Sequence, residues 1–196
     1  MSANVETMFS VREKPWHGLG TIIQEACNSQ EALHLAGLDW EVKQEPVLYK
    51  GKATGHKFNV RSSDDSVLGV VGARYKPVQN ADAFAFTDEL IGGDVRYETA
   101  GSLANGKRVW MLAKMPDTKI FDDVVEPFLC LTNGHDGFSS MKVCMTPVRV
   151  VCQNTLNMAL SKAKRTWNVR HSGNIESKMA EAKHTLGLAE QYMESF

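Results

Sequence analysis

The chain has 196 residues, 43% of them hydrophobic, with 22 Lys and Arg against 23 Asp and Glu, which is length enough for one sizeable core or one core plus an appendage. No apolar run reaches the roughly 18 residues that a membrane span needs, and the first ten residues have neither the basic nor the apolar region of a secretory signal. Four cysteines without a CxxC spacing are too few for a disulfide scaffold, so the reducing cytoplasm of a bacterial cell is the expected location.

Residues 1–27 read as an irregular arm carrying Lys14-Pro15-Trp16-His17-Gly18-Leu19-Gly20. The pair Gly18 and Gly20 follows no strand, so it does not make a phosphate-binding loop; Trp16-His17-Gly18 suits a docking arm instead. A short helix follows, with Asn28 as cap, Glu31 three residues on and Gly37 just past its end. Trp40 to Tyr49 reads as a strand that Pro46 confines to a sheet edge. Phe58–Arg61 and Val67–Val71 form a hairpin through Ser62-Ser63-Asp64-Asp65. A helix opens at Asn80-Ala81-Asp82, carries Phe84, Phe86, Leu90 and Ile91, and stops at Gly92-Gly93.

Arg96–Leu103 and Lys107–Met115 flank Asn105-Gly106, a pair suited to a type I′ turn because both residues tolerate positive φ. A third hairpin runs from Phe128–Thr132 to Met141–Val151 around Asn133-Gly134-His135-Asp136-Gly137, with Pro147 interrupting its second strand. Cys130 and Cys144 are placed symmetrically about Gly137 and face each other across it. Two helices close the chain. In the first, Gln153 to Trp167, the residues Leu156, Ala159, Leu160 and Ala163 form one apolar stripe. The second has Ile175, Met179, Ala182, Leu186, Ala189 and Met193 at spacings of four and three, a stripe that needs the sheet or another subunit to cover it. The expected class is α+β: antiparallel hairpins in a bent sheet packed against helices. The expected division is an arm at 1–27, a core at 28–170 and a C-terminal helix at 171–196.

Charge is segregated. Between Asp136 and Glu176 there is no acidic residue, while Lys142, Arg149, Lys162, Lys164, Arg165 and Arg170 are basic. The window therefore sums to +6 and the remainder to −7, hidden inside a net charge of −1. A positive segment on an otherwise acidic protein suits phosphate recognition, although charge runs also occur as solvated faces without a partner. A strand pair leading into a basic helix can make a groove for a single strand, with phosphates tracked by Lys and Arg and bases free to stack. Arg149, flanked by Val148 and Val150, also suits a structural ion pair. Trp167 can serve as a stacking platform or cover a helix end.

Other constellations are weaker. Cys130, Cys144, Cys152 and His135 do not converge as a closed zinc site requires, and Cys152 has no neighbour marking it as a nucleophile. Asp64-Asp65 and His135-Asp136 could hold a divalent metal in a nuclease, yet both pairs lie in turns, where Asp is common for backbone reasons. No catalytic residue, metal or cofactor is expected.

Five ordered stretches carry a resemblance. They are Trp16-His17-Gly18-Leu19-Gly20, Ala36-Gly37-Leu38-Asp39-Trp40, Tyr75-Lys76-Pro77-Val78-Gln79-Asn80, Glu98-Thr99-Ala100-Gly101-Ser102-Leu103 and Arg149-Val150-Val151-Cys152-Gln153-Asn154-Thr155-Leu156. Together they resemble the phage/plasmid-like protein family, long catalogued as a domain of unknown function. That family's habitat implies work on DNA that is single-stranded, recombining or under attack. The order of strands and helices is also similar to the RecT/Redβ/Erf-type single-strand annealing proteins, an architectural likeness without transferable motifs. The resemblance and the basic window lead to one expectation: a non-hydrolytic, homo-oligomeric protein that binds single-stranded DNA and promotes strand annealing in phage or plasmid recombination. Its phosphate- and base-binding residues would be Lys142, Arg149, Lys162, Lys164, Arg165, Trp167 and Arg170. The alternatives are a metal-dependent nuclease using Asp64, Asp65, His135 or Asp136, and an anti-defence or regulatory protein that docks through its last helix.

Overall fold

The computed structural model describes residues 3–92, 95–115, 118–120, 123–163, 166–174, 177–178 and 180–182; for 118–120 and 123–125 only the backbone is described. The protein is α+β. In chain order the elements are β1 (Val5–Val11), β2 (Thr21–Ile23), α1 (Ser29–Leu35), β3 (Val42–Tyr49), β4 (Lys52–Arg61), β5 (Val67–Gly72) and α2 (Asn80–Ile91). There follow β6 (Arg96–Leu103), β7 (Arg108–Lys114), β8 (Thr118–Ile120), β9 (Asp123–Val125), β10 (Phe128–Gly134), β11 (Met141–Thr146), α3 (Gln153–Lys162) and β12 (Thr166–Val169). A seven-stranded sheet has the order β12-β11-β10-β7-β6-β1-β2, and a three-stranded sheet the order β3-β4-β5.

Both faces of the large sheet are covered, which explains why the interiors of β7 and β10 are apolar or small on both sides rather than alternating with charge; β6 is buried on both sides as well but carries the ion-paired Glu98. On one face Phe9, Tyr97, Met111 and Leu131 pack with Leu38, Phe84 and Phe86 from the α1 and α2 region. On the other, Trp110, Leu112, Cys130 and Cys144 meet Leu156 and Ala159 of α3. The apolar stripe of α3 thus faces the sheet, with Leu160 and Ala163 at its margin.

Local signals explain several boundaries. Asn28 and Glu31 form the reciprocal capping box that opens α1, and Gly37 follows its end at φ +65°. Pro46 lies in β3, an edge strand of the small sheet, beside a register shift. Cys130 and Cys144 are direct register partners in the β10–β11 hairpin.

The hairpins are antiparallel as expected, and β2 joins the large sheet in parallel with β1. Three expectations need correction. Residues 1–27 are not wholly irregular, because β1 pairs with β6 inside the large sheet, with Phe9 and Val11 fully buried; alternation in that strand is lost because both of its faces are covered near its end. The β6–β7 turn is wider than a two-residue type I′ turn: Leu103 pairs with Arg108, and Ala104, Asn105 and Gly106 all take positive φ. The helix expected to run to Trp167 stops at Lys162, and Thr166–Val169 form β12, antiparallel to β11. A β-branched residue, an aromatic and a valine at 166, 167 and 169 suit an edge strand once the helical stripe ends at Ala163. Of the final helix, 177–178 and 180–182 are helical and Ala182 is buried in the core; Ile175, Met179, Leu186, Ala189 and Met193 lie outside the described residues. Among the described residues no helix is long and apolar enough to cross a membrane.

Candidate nucleic-acid interface

The acid-free window does not fold into a single basic face. Arg149 turns toward the protein: its Nη1 donates to Glu98 Oε2 at 2.8 Å, and its Nη2 donates to the Val11 carbonyl at 2.6 Å. Glu13 lies 3.7 Å from Nε, and Arg12 also reaches Glu98, which is 2% exposed. Here the structural ion pair has the side chain. Lys162 is exposed at the end of α3. Lys164 and Arg165 lie outside the described residues. Trp167 is half-buried on β12 and packs 5.6 Å from Phe86, covering the core edge.

The other two cations lead elsewhere. Lys142 on β11 is the register partner of Asn168 on β12, and Arg170 is exposed just beyond that strand. Asn168 and Arg170 line a groove of about 1050 Å³. One wall is the segment after β5, with Arg74 and Tyr75; a second is the β10–β11 turn, with Phe138, Ser139 and Ser140; the third is the run from Asn168 to Gly173, joined by Lys178.

Local chemistry holds these walls together. Asp136 accepts from the backbone N–H groups of Phe138 and Ser139 at 2.8 and 2.7 Å and from the Ser139 hydroxyl at 2.8 Å, fixing the turn. Burial works to raise its pKa, but those bonds and the Arg108 charge outweigh it and keep the carboxyl below its usual range. Gly137 takes φ +84° at the tip, and Phe138 is thrown outward, 93% exposed. The turn sits directly on β5 at Gly69, where a Cβ would stand 2.5 Å from the Asp136 carbonyl oxygen. On the opposite side, Lys76 N–H donates to the His171 carbonyl at 2.9 Å, and Tyr75 pairs with Ser172 in an antiparallel bridge. The Tyr75 and His171 rings stack at 4.9 Å with 23° between planes, and the Tyr75 hydroxyl donates to the Gly134 carbonyl at 2.9 Å.

The electrostatics favour an anion. Arg74, Arg170 and Lys178 line the groove, and no Asp or Glu is among the described residues that line it. Arg74 and Arg170 are exposed and, among the described residues, make no ion pair; Lys178 is held by its bond to the Ser172 carbonyl at 2.9 Å. A basic groove with an exposed aromatic at its rim can hold a phosphate chain while a base stacks.

The residues considered for a metal do not meet. Asp64 is bound by Arg61 at 2.7 Å, and Asp65 occupies a positive-φ turn position. Asp136 is committed to its own turn, and His135 is fully buried against Asn80 at 3.0 Å. Among the described residues no group of three or more His, Cys, Asp or Glu could hold an ion.

Sequence reasoning missed Arg74, Phe138, His171 and Lys178. Phe138 left a signal, an aromatic in an otherwise polar turn. Arg74 and Lys178 lie outside the acid-free window and join it only through folding.

The fold and groove define an α+β protein with two covered sheet faces and a basic cleft at one sheet edge whose described lining residues include no carboxylate. The family described as Domain of unknown function (DUF932) matches residues 67–196, and the chain belongs to that family. Neither a curated protein nor a solved structure matches it.

Proposed function

We propose that the protein binds single-stranded DNA in the groove between Arg74, Phe138 and Arg170, and that it does so to promote annealing of complementary strands. The supporting observation is the groove itself: three cations, no carboxylate among the described lining residues and a 93% exposed phenylalanine. Exposing so large an apolar ring in a turn otherwise built of Gly, Asp and Ser gains nothing for the fold. A flexible single strand fits this chemistry better than a duplex, because its unstacked bases can reach the ring while its backbone follows the charges. Lys142, beside Asn168, would extend the basic track along the sheet edge. The resemblance to phage/plasmid-like proteins adds the setting, strand annealing during recombination in a bacterial host cell, and homo-oligomers would carry the two strands.

The test is binding of a labelled oligonucleotide by the wild type and by the triple variant Arg74→Ala/Arg170→Ala/Lys178→Ala. The reading expects wild-type binding and at least a tenfold loss in the triple variant, with a parallel loss in annealing rate of complementary oligonucleotides. Equal affinity in the two proteins would refute it.

A further inference from the structure

His171 lies on the groove wall, yet the residue is 4% exposed. Among the described residues neither of its ring nitrogens has a hydrogen-bond partner of acceptable geometry. Burial pushes its pKa down, opposed by the Lys76 backbone and the Asp136 charge, so the ring is neutral at pH 7. A neutral imidazole has one donor and one acceptor. Leaving both unsatisfied in a buried place is destabilising. The tyrosine stack holds the ring in position without using either nitrogen. Beside it are the cations that suit a phosphate chain and the exposed ring of Phe138.

We propose that this part of the groove is a base-reading subsite. Resting on the single-strand reading above, the inference is that one nucleobase stacks against Phe138 and hydrogen-bonds through its polar edge to one ring nitrogen of His171. Arg74, Arg170 and Lys178 hold the adjoining phosphates. A nucleobase edge carries both donors and acceptors, so it can pair with either tautomer of the imidazole, whereas a phosphate can only accept. Because the four bases differ in that edge pattern, the subsite distinguishes among them. A protein binding through cations and stacking alone has only weak preferences.

The experiment measures affinity for four labelled oligonucleotides of equal length, oligo-dA, oligo-dC, oligo-dG held unstructured by interspersed abasic units, and oligo-dT. The same set is then bound to His171→Phe, which keeps a ring on Tyr75 and removes both nitrogens. The wild type should separate the best from the worst base by at least fivefold; the variant should compress this spread to within about twofold while its salt dependence stays unchanged. A ligand-side measurement does not depend on how the variant folds: replacing successive bases of the preferred oligonucleotide by abasic units should cost wild-type binding most at one position. Equal wild-type affinities, or a preference that persists in His171→Phe, would overturn the subsite and leave single-strand binding intact. Failure of every oligonucleotide to bind would overturn both.

Discussion

Arg149 and Arg170 come from the same acid-free run, yet the fold treats them oppositely. Arg149 is drawn into the protein by Glu98 and Glu13, carboxylates that arrive from β6 and the segment after β1. Arg170 stays exposed beside a groove whose described lining residues include no carboxylate. Charge segregation along a chain is therefore not charge segregation in space. Acids distant in sequence neutralise one part of a basic run, and bases distant in sequence, Arg74 and Lys178, join the other. One arginine belongs to stability, the other to the proposed recognition.

That contrast can be broken at either side. The largest effect is expected at the buried pair: Arg149→Ala strips Glu98 of its partner at 2.8 Å, leaving Arg12 at 3.2 Å, and should lower unfolding free energy by about 3 kcal/mol. Urea unfolding measures this. Oligonucleotide binding by the folded fraction should be unchanged, and a binding loss without a stability loss would place Arg149 with the groove instead.

Acid sharpens the comparison next. His135 has its pKa lowered from 6.5 to about 3 by burial, with the nearby His171 adding to the effect; His171 is lowered in the same direction. Below pH 6.5 the unfolded chain takes up protons that the native histidines refuse, so stability is complete above that pH and falls as pH drops toward 3. His135 contributes a slope of about 1.4 kcal/mol per pH unit while only the unfolded form is protonated, and His171 acts in the same direction. Urea unfolding between pH 7 and 5 should show the decline, and His135→Gln should reduce it. A flat profile over that range would contradict the neutral buried pair.

Phe138→Ala should leave stability unchanged, because the side chain is 93% exposed. It should weaken single-strand binding by about 1 kcal/mol or more, the size of one base–aromatic stack, measured by fluorescence anisotropy. Lys162→Ala is the smallest change: an exposed helix-end cation away from the groove should alter neither stability nor binding by more than about 0.5 kcal/mol.

Much of the fold was legible because its signals are local. The Asn28 and Glu31 cap, the hairpin strands around Gly137 and the Leu156–Ala159 stripe each follow from neighbours in sequence. β1 was not legible, since Phe9, Ser10 and Val11 are all fully buried and lose the alternation that marks a one-sided strand. β12 was hidden because a run of Lys and Arg continued the helical composition of α3 past its stripe. The candidate site was less legible than the fold. Arg170 and Lys142 were found from charge, but Lys178 joins them through the bridge of Tyr75 with Ser172, and Arg74 and Phe138 meet through the contact of β5 with the β10–β11 turn. That contact depends on the missing side chain of Gly69, which has no periodic or compositional signature.

The most direct test of the account is the salt dependence of single-strand binding. Three cations on phosphates should contribute about 2 units to the slope of log affinity against log salt, at about 0.7 per neutralised phosphate. The account predicts that Arg74→Ala/Arg170→Ala/Lys178→Ala lowers both affinity and slope by that amount, while Lys162→Ala leaves the slope at the wild-type value. A triple variant with the wild-type slope and affinity would contradict it.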